Sequence, residues 1–478
     1  MKHLLIVGGG IAGLSAAWNA SRSGADLRIT LVEREERLGG KIRTDAAGPY
    51  VLEQGPDSFL TVRPEVIRLC EQLGLRDRFL ARSPQPVHTY IMRQHRLSPL
   101  PDGFSGSVPL DTAALAVSPL LSEAGRRRAM EQPSLPAWSG GDDESVASLM
   151  VRRFGEEAFQ VLVEPLVGGI HAGDAELLSA EATLPRRRTE PAEGTGAAPG
   201  TGAGDRPQFL TFANGTAEIV EALRRALEDT GSGTPAVTVR RGVNADAVRR
   251  KGPLFAVELS TGETTEADAL LLCIPAHEAS RLASPLDPEL SDLLRLIPSA
   301  STVVIHLAYR AVDVPHPLDG YGYLIPSIEK SDLVACTWTS RKWKGRAPED
   351  RVLFRLFAGR FGRRDLLGTP DEELFHMARA ELAATLGIHA APELQQLHRW
   401  SLGMPQYTVG HLARVRDIRS RVRQVPGLFL AGAAFDGVGI PQCVASGSAA
   451  AAEASRFLAE GTATAAEGEK SEDRSRYA

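Results

Sequence analysis

The chain opens on His3-Leu-Leu-Ile-Val-Gly8-Gly-Gly10-Ile-Ala-Gly13, an apolar run followed by regularly spaced glycines. No other stretch limits the possible folds so strongly. The apolar run reads as a buried strand, and the spacing Ile11, Leu14, Ala17, Trp18 reads as a helix over residues 11–23. Residues 28–32 read as a second parallel strand ending at Glu33, which completes a βαβ unit. In such a unit Gly8 permits the tight turn after the strand. Gly10 lets the backbone approach a pyrophosphate, and Gly13 lets the helix pack on the sheet. The amide donors and positive end of the helix then face the phosphates. Glu33 stands 20 residues past Gly13, where its carboxylate can accept from both hydroxyls of an adenosine ribose and would repel a 2′-phosphate.

A second motif follows at once: Arg37-Leu38-Gly39-Gly40-Lys41-Ile42-Arg43-Thr44. A nicotinamide dehydrogenase does not need it. A double glycine flanked by cations suits a second close approach to a diphosphate or flavin, and with the first cluster it points to FAD.

The far end of the chain repeats the strand–glycine pattern in Gly427-Leu-Phe-Leu-Ala-Gly432, then Gly437-Val-Gly439-Ile440-Pro441, with a helix expected from about Ser446. FAD has two ends that need different help. Its pyrophosphate is always anionic, whereas the isoalloxazine gains charge on its N1/C2 edge only on reduction. A helix N-terminus aimed there stabilises the reduced ring. The last cluster thus reads as the redox-end site, with Ile440, Cys443 and Val444 packing nearby.

At 478 residues the chain is long enough for two or three units. A net charge of −5 argues against nucleic acid as the main partner. Cys70, Cys273, Cys336 and Cys443 lack ligand spacing, so no metal site is expected, and reduced thiols in a cytoplasmic protein are the natural reading. No apolar run is long enough to cross a bilayer, and the first seven residues do not make a signal peptide.

Four ordered motifs carry a resemblance that runs from residue 3 to about 459. They are Glu53-x-Gly55-Pro56-Asp57-Ser58-Phe59, Leu162-x-Glu164-Pro165 through Gly169-Ile170-x-Ala172-Gly173-Asp174, Met404-Pro405-Gln406-Tyr407-x-x-Gly410-His411, and Gly437 through Cys443. Together they resemble the oxygen-dependent porphyrinogen oxidases of haem synthesis, within the FAD-dependent amine oxidase superfamily. Cys336-Thr-Trp-Thr339 with Lys342-Trp343 resembles the branch of Gram-positive bacteria that oxidises coproporphyrinogen III. Gln442 stands where that family commonly has Asp.

The resemblance implies an α/β fold: a Rossmann-like FAD-binding domain of amine-oxidase type, a mixed-sheet substrate domain and a helical insertion. The expected boundaries are 1–80, 208–275 and 412–460 for a discontinuous FAD domain, and 81–188 for the insertion. A flexible loop is expected at 189–207, the substrate domain at 276–411 and a disordered tail at 461–478. Cofactor contacts are implied at Gly8, Gly10, Ile11, Ala12, Gly13, Glu33, Arg34, Gly39, Gly40, Lys41, Gly55, Pro56, Asp57, Ser58, Val243, Gly432, Gly439, Ile440 and Pro441.

The implied reaction is a six-electron oxidation of a porphyrinogen, with molecular oxygen as acceptor and hydrogen peroxide released. Protoporphyrinogen IX is the alternative substrate. Another flavin amine oxidase or desaturase, or a non-catalytic porphyrin-binding protein, are further alternatives. Partners beyond substrate and oxygen would be at most a peripheral membrane contact and a transient contact with the next haem-pathway enzyme. Arg63 is the first candidate for a substrate propionate, with Arg341, Lys342 and Lys344 behind it. Phe59, Trp338 and Met404 are candidates for an apolar floor, though ordinary core packing suits each equally. His306 could shuttle protons, but a satisfied core histidine is the plainer reading. No dedicated general base is evident.

Overall fold

The structure is a computed structural model that describes residues 1–84, 88–105, 107–109, 112–131, 143–184, 208–228 and 237–475. Its base is a five-stranded parallel sheet in the order Val237–Arg240, Leu27–Val32, Lys2–Val7, Ala269–Leu272, Leu428–Leu430. The Lys2–Val7 strand lies at the centre, with Ile6 opposite both Leu31 and Leu271. Its side chains alternate between two cores. Leu4 and Ile6 join the layer that contains the Ile11–Ser21 helix and the closing helix, while Leu5 and Val7 join the layer under the Ala276–Ala283 and Pro288–Arg295 helices. Burial on both faces explains why the strand reads as an unbroken apolar run.

The closing helix, Ile440–Ser475, packs directly on Ile11–Ser21. Gly447 sets that spacing: a Cβ there would stand 2.0 Å from the Ala12 carbonyl oxygen. Gly13 instead lets the first helix sit on the strand end, since a Cβ there would stand 1.9 Å from the Gly8 carbonyl oxygen. The sequence reading placed the start of the closing helix near Ser446; it begins six residues earlier, with Pro441 in its first turn, where a missing amide costs nothing. The helix also runs through most of the tail expected to be disordered.

Above this base lies a seven-stranded sheet in the order Leu394–Pro405, Ser299–Arg310, Arg351–Ala358, Leu333–Trp338, Gly320–Leu324, His88–Arg93, Arg96–Pro99. All its pairings are antiparallel except that of Gly320–Leu324 with His88–Arg93. The Asp371–Leu386 helix covers one face of this sheet. The helices Glu123–Met130, Val146–Phe154 and Glu164–His171 share a core with Ile91 from the same sheet.

The block 81–188, expected from sequence to be a helical insertion, is therefore not wholly helical. Residues 88–99 form a hairpin at the sheet edge, with Tyr90 and Met92 in one core and Ile91 in the other. The hairpin turn is Gln94-His95, both at positive φ (51° and 58°), without the glycine or Asn-Gly pair that usually marks such a turn. The segment 189–207, expected to be a flexible loop, lies outside the described residues. Among the described residues no helix is long and apolar enough to cross a membrane, and no group of His, Cys, Asp or Glu could hold a metal ion.

Candidate functional site

The two N-terminal glycine motifs touch. Gly39 donates its amide to the Gly9 carbonyl at 2.8 Å, and Gly10 and Gly39 form a parallel bridge. Gly40, at φ +55°, leaves only 3.1 Å between a hypothetical Cβ and the Gly10 Cα. A Cβ on Gly10 would meet nothing nearer than 3.9 Å, so the ground above that backbone is open. Ile11 and Ala12 are buried in the helix turn behind it.

Glu33 closes the same loop. Its Oε2 accepts from the Gly9 amide at 2.6 Å and its Oε1 from the Glu35 amide at 2.9 Å. Each oxygen keeps a further lone pair, enough for a ribose hydroxyl. The Val243 amide donates to the Glu33 carbonyl at 2.9 Å, which brings Val243 to the same edge. Arg34 turns away from it and pairs with Glu278 at 3.3 Å.

The C-terminal glycines form the second wall. Gly432 (φ +124°) has open space where a Cβ would stand, and its amide donates to the Ser446 hydroxyl at 3.1 Å. Tyr407 staples the loop beyond it. The phenol donates to the Ala433 carbonyl at 2.5 Å and accepts from the Gly437 amide at 2.8 Å. His411 stacks on the Tyr407 ring with centroids 3.9 Å apart, and burial pushes its pKa down to about 4. That histidine stands as a neutral prop for the tyrosine ring. The Gln442 side chain folds over Gly437 and Gly439, its Oε1 2.5 Å from a hypothetical Cβ on Gly439. A residue that departs from the resembling family thus covers the glycine loop. Ile440 and Pro441 follow it in the first turn of the helix.

Lys41 and Cys443 lie between these walls. Burial holds the Lys41 ammonium below the usual lysine value and pushes the Cys443 thiol up to about 11. Among the described residues no carboxylate pairs with Lys41. Open backbone at Gly10 and Gly432, the helix start at Gly10, and an uncompensated cation between them suit an anionic dinucleotide.

The Gly55-Pro56-Asp57-Ser58 segment ties this cleft to the upper sheet. A Cβ on Gly55 would lie 1.8 Å from the Lys41 carbonyl oxygen, so only glycine fits. The Gly55 carbonyl accepts from Arg355, and the Pro56 carbonyl from the Thr216 hydroxyl at 3.0 Å. Asp57 accepts from Lys342 (2.8 Å), the Trp343 indole (3.1 Å) and the Ser58 hydroxyl (2.8 Å). Glu53 is buried beside them. Burial pushes its pKa up, while hydrogen bonds from Thr216 and Thr44 and the Arg346 charge pull it back.

Several substrate candidates stand elsewhere than expected. Phe59 is a core residue, packed between Phe79 and Phe212 at about 6 Å. Trp338 is fully buried against Tyr90 and His316. Both are apolar enough for a pocket floor, but the sheets close over them. Lys342 is committed to Asp57. His306 is fully buried, with Nε2 3.1 Å from the Glu53 carbonyl and its pKa pushed down to about 3 by burial, so proton shuttling does not suit it. Met404 is half-buried on the Leu394–Pro405 strand, paired with Ala300. Arg63 is exposed at the N-cap of the Pro64–Gln72 helix.

Sequence reasoning gave no role to Tyr407 or Glu53, although both lie inside quoted motifs, because their partners are remote in the chain. Arg82 escaped it altogether. Its guanidinium stacks over Tyr321 at 4.4 Å and Phe209 at 5.6 Å beside a small cavity.

Residues 11–455 match the profile of the flavin containing amine oxidoreductases. A coproporphyrinogen III oxidase of Bacillus subtilis is 32% identical over 477 residues, covering 96% of this chain and 98% of its own. One of Mycobacterium bovis is 32% identical over 462 residues, covering 93% and 95%. Among solved structures, a protein from Exiguobacterium provisionally assigned as a protoporphyrinogen oxidase superposes with a TM-score of 0.81 at 30% identity, covering 95% of this chain and 98% of its own.

Proposed function

The chain belongs to the flavin containing amine oxidoreductase family and is an FAD-dependent oxidoreductase; from that premise we propose that it oxidises coproporphyrinogen III to coproporphyrin III in haem synthesis. The observation that carries this reading is the near-complete coverage, in both directions, of relatives named coproporphyrinogen III oxidase. The reaction is a six-electron oxidation with molecular oxygen as the final acceptor and hydrogen peroxide as the second product.

Bound FAD supplies the two-electron acceptor for each step. The rest is the work of the protein. The Gly8–Gly13 and Gly39–Gly40 backbones would cradle the pyrophosphate, and Glu33 would hold the ribose. The Ile440 helix start and Lys41 would supply positive potential that favours the reduced, anionic flavin. Tyr407, propped by His411, ties Ala433 to Gly437 and would hold this loop ready for the ring before substrate arrives. Burial holds His306 and His411 below the usual imidazole pKa, and neither is assigned a proton-transfer role.

Anaerobic mixing of the FAD-loaded protein with coproporphyrinogen III tests this reading. The expected results are bleaching of the flavin absorbance, then porphyrin fluorescence and peroxide on admitting air. A loaded protein that leaves every porphyrinogen untouched overturns it. Faster turnover of protoporphyrinogen IX would move the substrate assignment to the alternative while keeping the chemistry.

A further inference from the structure

A cavity of about 180 Å³ opens between the Gly320–Leu324 and Leu333–Trp338 strands on one side and Arg82, Thr89 and Phe209 on the other. It is too small for a macrocycle, whose sites run to several hundred Å³. It is large enough for a short side arm.

Its chemistry is that of a carboxylate receiver. The Arg82 guanidinium lies 4.4 Å from the Tyr321 ring centroid and 5.6 Å from that of Phe209, contacts that restrict its position at the cavity wall. The Tyr321 hydroxyl is fixed on the Ser83 carbonyl at 2.7 Å, and the Ser83 amide donates to the Lys342 carbonyl at 3.0 Å, which locks the Arg82 segment to the cavity wall. Among the described residues Arg82 has no carboxylate partner. Lys342 also lines the cavity, but its charge is answered by Asp57, so the surplus positive charge belongs to Arg82. The cavity is joined to the cofactor cleft through one short chain of contacts, Lys342 to Asp57 and then Gly55 to Lys41.

We propose that Arg82 receives a peripheral carboxylate of the substrate in this cavity and so selects for acid-bearing tetrapyrroles. The inference rests on the porphyrinogen reading above. It makes Arg82 a specificity-determining residue and asks nothing of it in the redox step.

The test compares wild type, R82M and R82Q on coproporphyrinogen III and on its tetramethyl ester in the same detergent, with FAD content checked for each. Binding of coproporphyrin III by fluorescence quenching gives a readout independent of turnover. The expected result is a KM and a product Kd for the free acid raised roughly tenfold in both variants, the effect of losing one charge-assisted contact. The change in kcat should be much smaller, and the ester should show no such rise in KM. R82K should recover part of the loss. R82Q keeps a planar group over Tyr321, so it decides the matter should R82M fail to fold. An FAD-loaded variant with the wild-type KM and Kd for the acid overturns this proposal and leaves the porphyrinogen reading standing. A wild type that neither binds coproporphyrin nor oxidises a porphyrinogen overturns that reading, and this inference with it.

Discussion

The Lys342 ammonium lies 2.8 Å from the Asp57 carboxylate, an ion pair that spans 285 residues of chain and joins the cofactor cleft to the upper sheet. Burial alone would raise the Asp57 pKa. Lys342, Arg355 and the Trp343 indole reverse that and hold it well below the usual carboxylate range. Lys342→Met removes the nearest of the groups that stabilise the Asp57 carboxylate and leaves Arg355, Trp343 and Ser58 in place, so it should destabilise the protein by about 1.5–3 kcal/mol, the scale of one charge-assisted bond. Adding Asp57→Asn should recover most of that loss in thermal denaturation. Strictly additive losses would show that the two residues do not act as a pair.

Tyr407→Phe removes the hydroxyl that bridges Ala433 and Gly437 while keeping the stack on His411. Two hydrogen bonds go, and the Gly437 amide loses its partner, a cost on the order of 1–3 kcal/mol. The expected outcome is weaker FAD retention on gel filtration with little loss of secondary structure by circular dichroism. FAD occupancy equal to wild type would show that the loop is held by other means.

Gly447→Ala places a methyl 2.0 Å from the Ala12 carbonyl, a backbone atom that cannot step aside without shifting a helix. A lower melting temperature is expected in both apo and FAD-loaded protein, because the clash lies behind the cleft rather than in it. Overpacking of this kind typically costs about 1–3 kcal/mol. A destabilisation confined to the loaded form would contradict the placement of the two helices.

Glu33→Ala should act twice. The carboxylate braces Gly9 and Glu35 through their amides, so even apoprotein should melt earlier, by the equivalent of about 1–3 kcal/mol for two charge-assisted bonds. FAD retention should fall as well. A variant whose apo stability is untouched would show that the loop holds its shape without the side chain.

Acid sensitivity follows from His306. The unfolded chain takes up its proton near the ordinary value of 6.5, whereas the folded protein resists until about 3. Between those limits the unfolded state binds more protons, so stability falls as pH falls, by about 1.4 kcal/mol per pH unit for this one group. His306→Asn should remove about one proton from the pH slope of unfolding free energy across that window. An unchanged slope would place the acid sensitivity in other buried groups, His171 and His411 among them.

Much of this architecture was legible in the chain, and the limits have physical causes. Residues 302–309, 321–325, 333–339 and 352–358 read as strands from sequence and 371–386 as a helix, and all stand in the structure within a few residues; the strands are apolar runs buried on nearly every residue, and the helix buries one face. The long Leu394–Pro405 strand went unread, because most of its residues are half-buried or exposed and no period shows. The FAD motifs were readable because local backbone geometry demands glycine in a fixed order. The substrate surface was not. Apolarity cannot separate a pocket floor from a core, as Phe59 and Trp338 show. The cation that stands open, Arg82, is identified only by what its neighbours in space leave unpaired.

The parallel sheet has a consequence for the order in which the molecule is made. Its central strand and the glycine loop after it are made well before their partners: the strand beside Ala269–Leu272 is Leu428–Leu430, and the helix that packs on Ile11–Ser21 begins at Ile440. An early nascent chain therefore exposes a strand edge and a helix face whose partners are hundreds of residues unsynthesised. Non-local closure of this kind is slow, since loop entropy must be lost before the contacts that repay it form. With FAD placed as proposed, both of its ends would be gripped only when the last segment docks. Ligand supply during translation, and not only after it, should then govern how much chain reaches the native state.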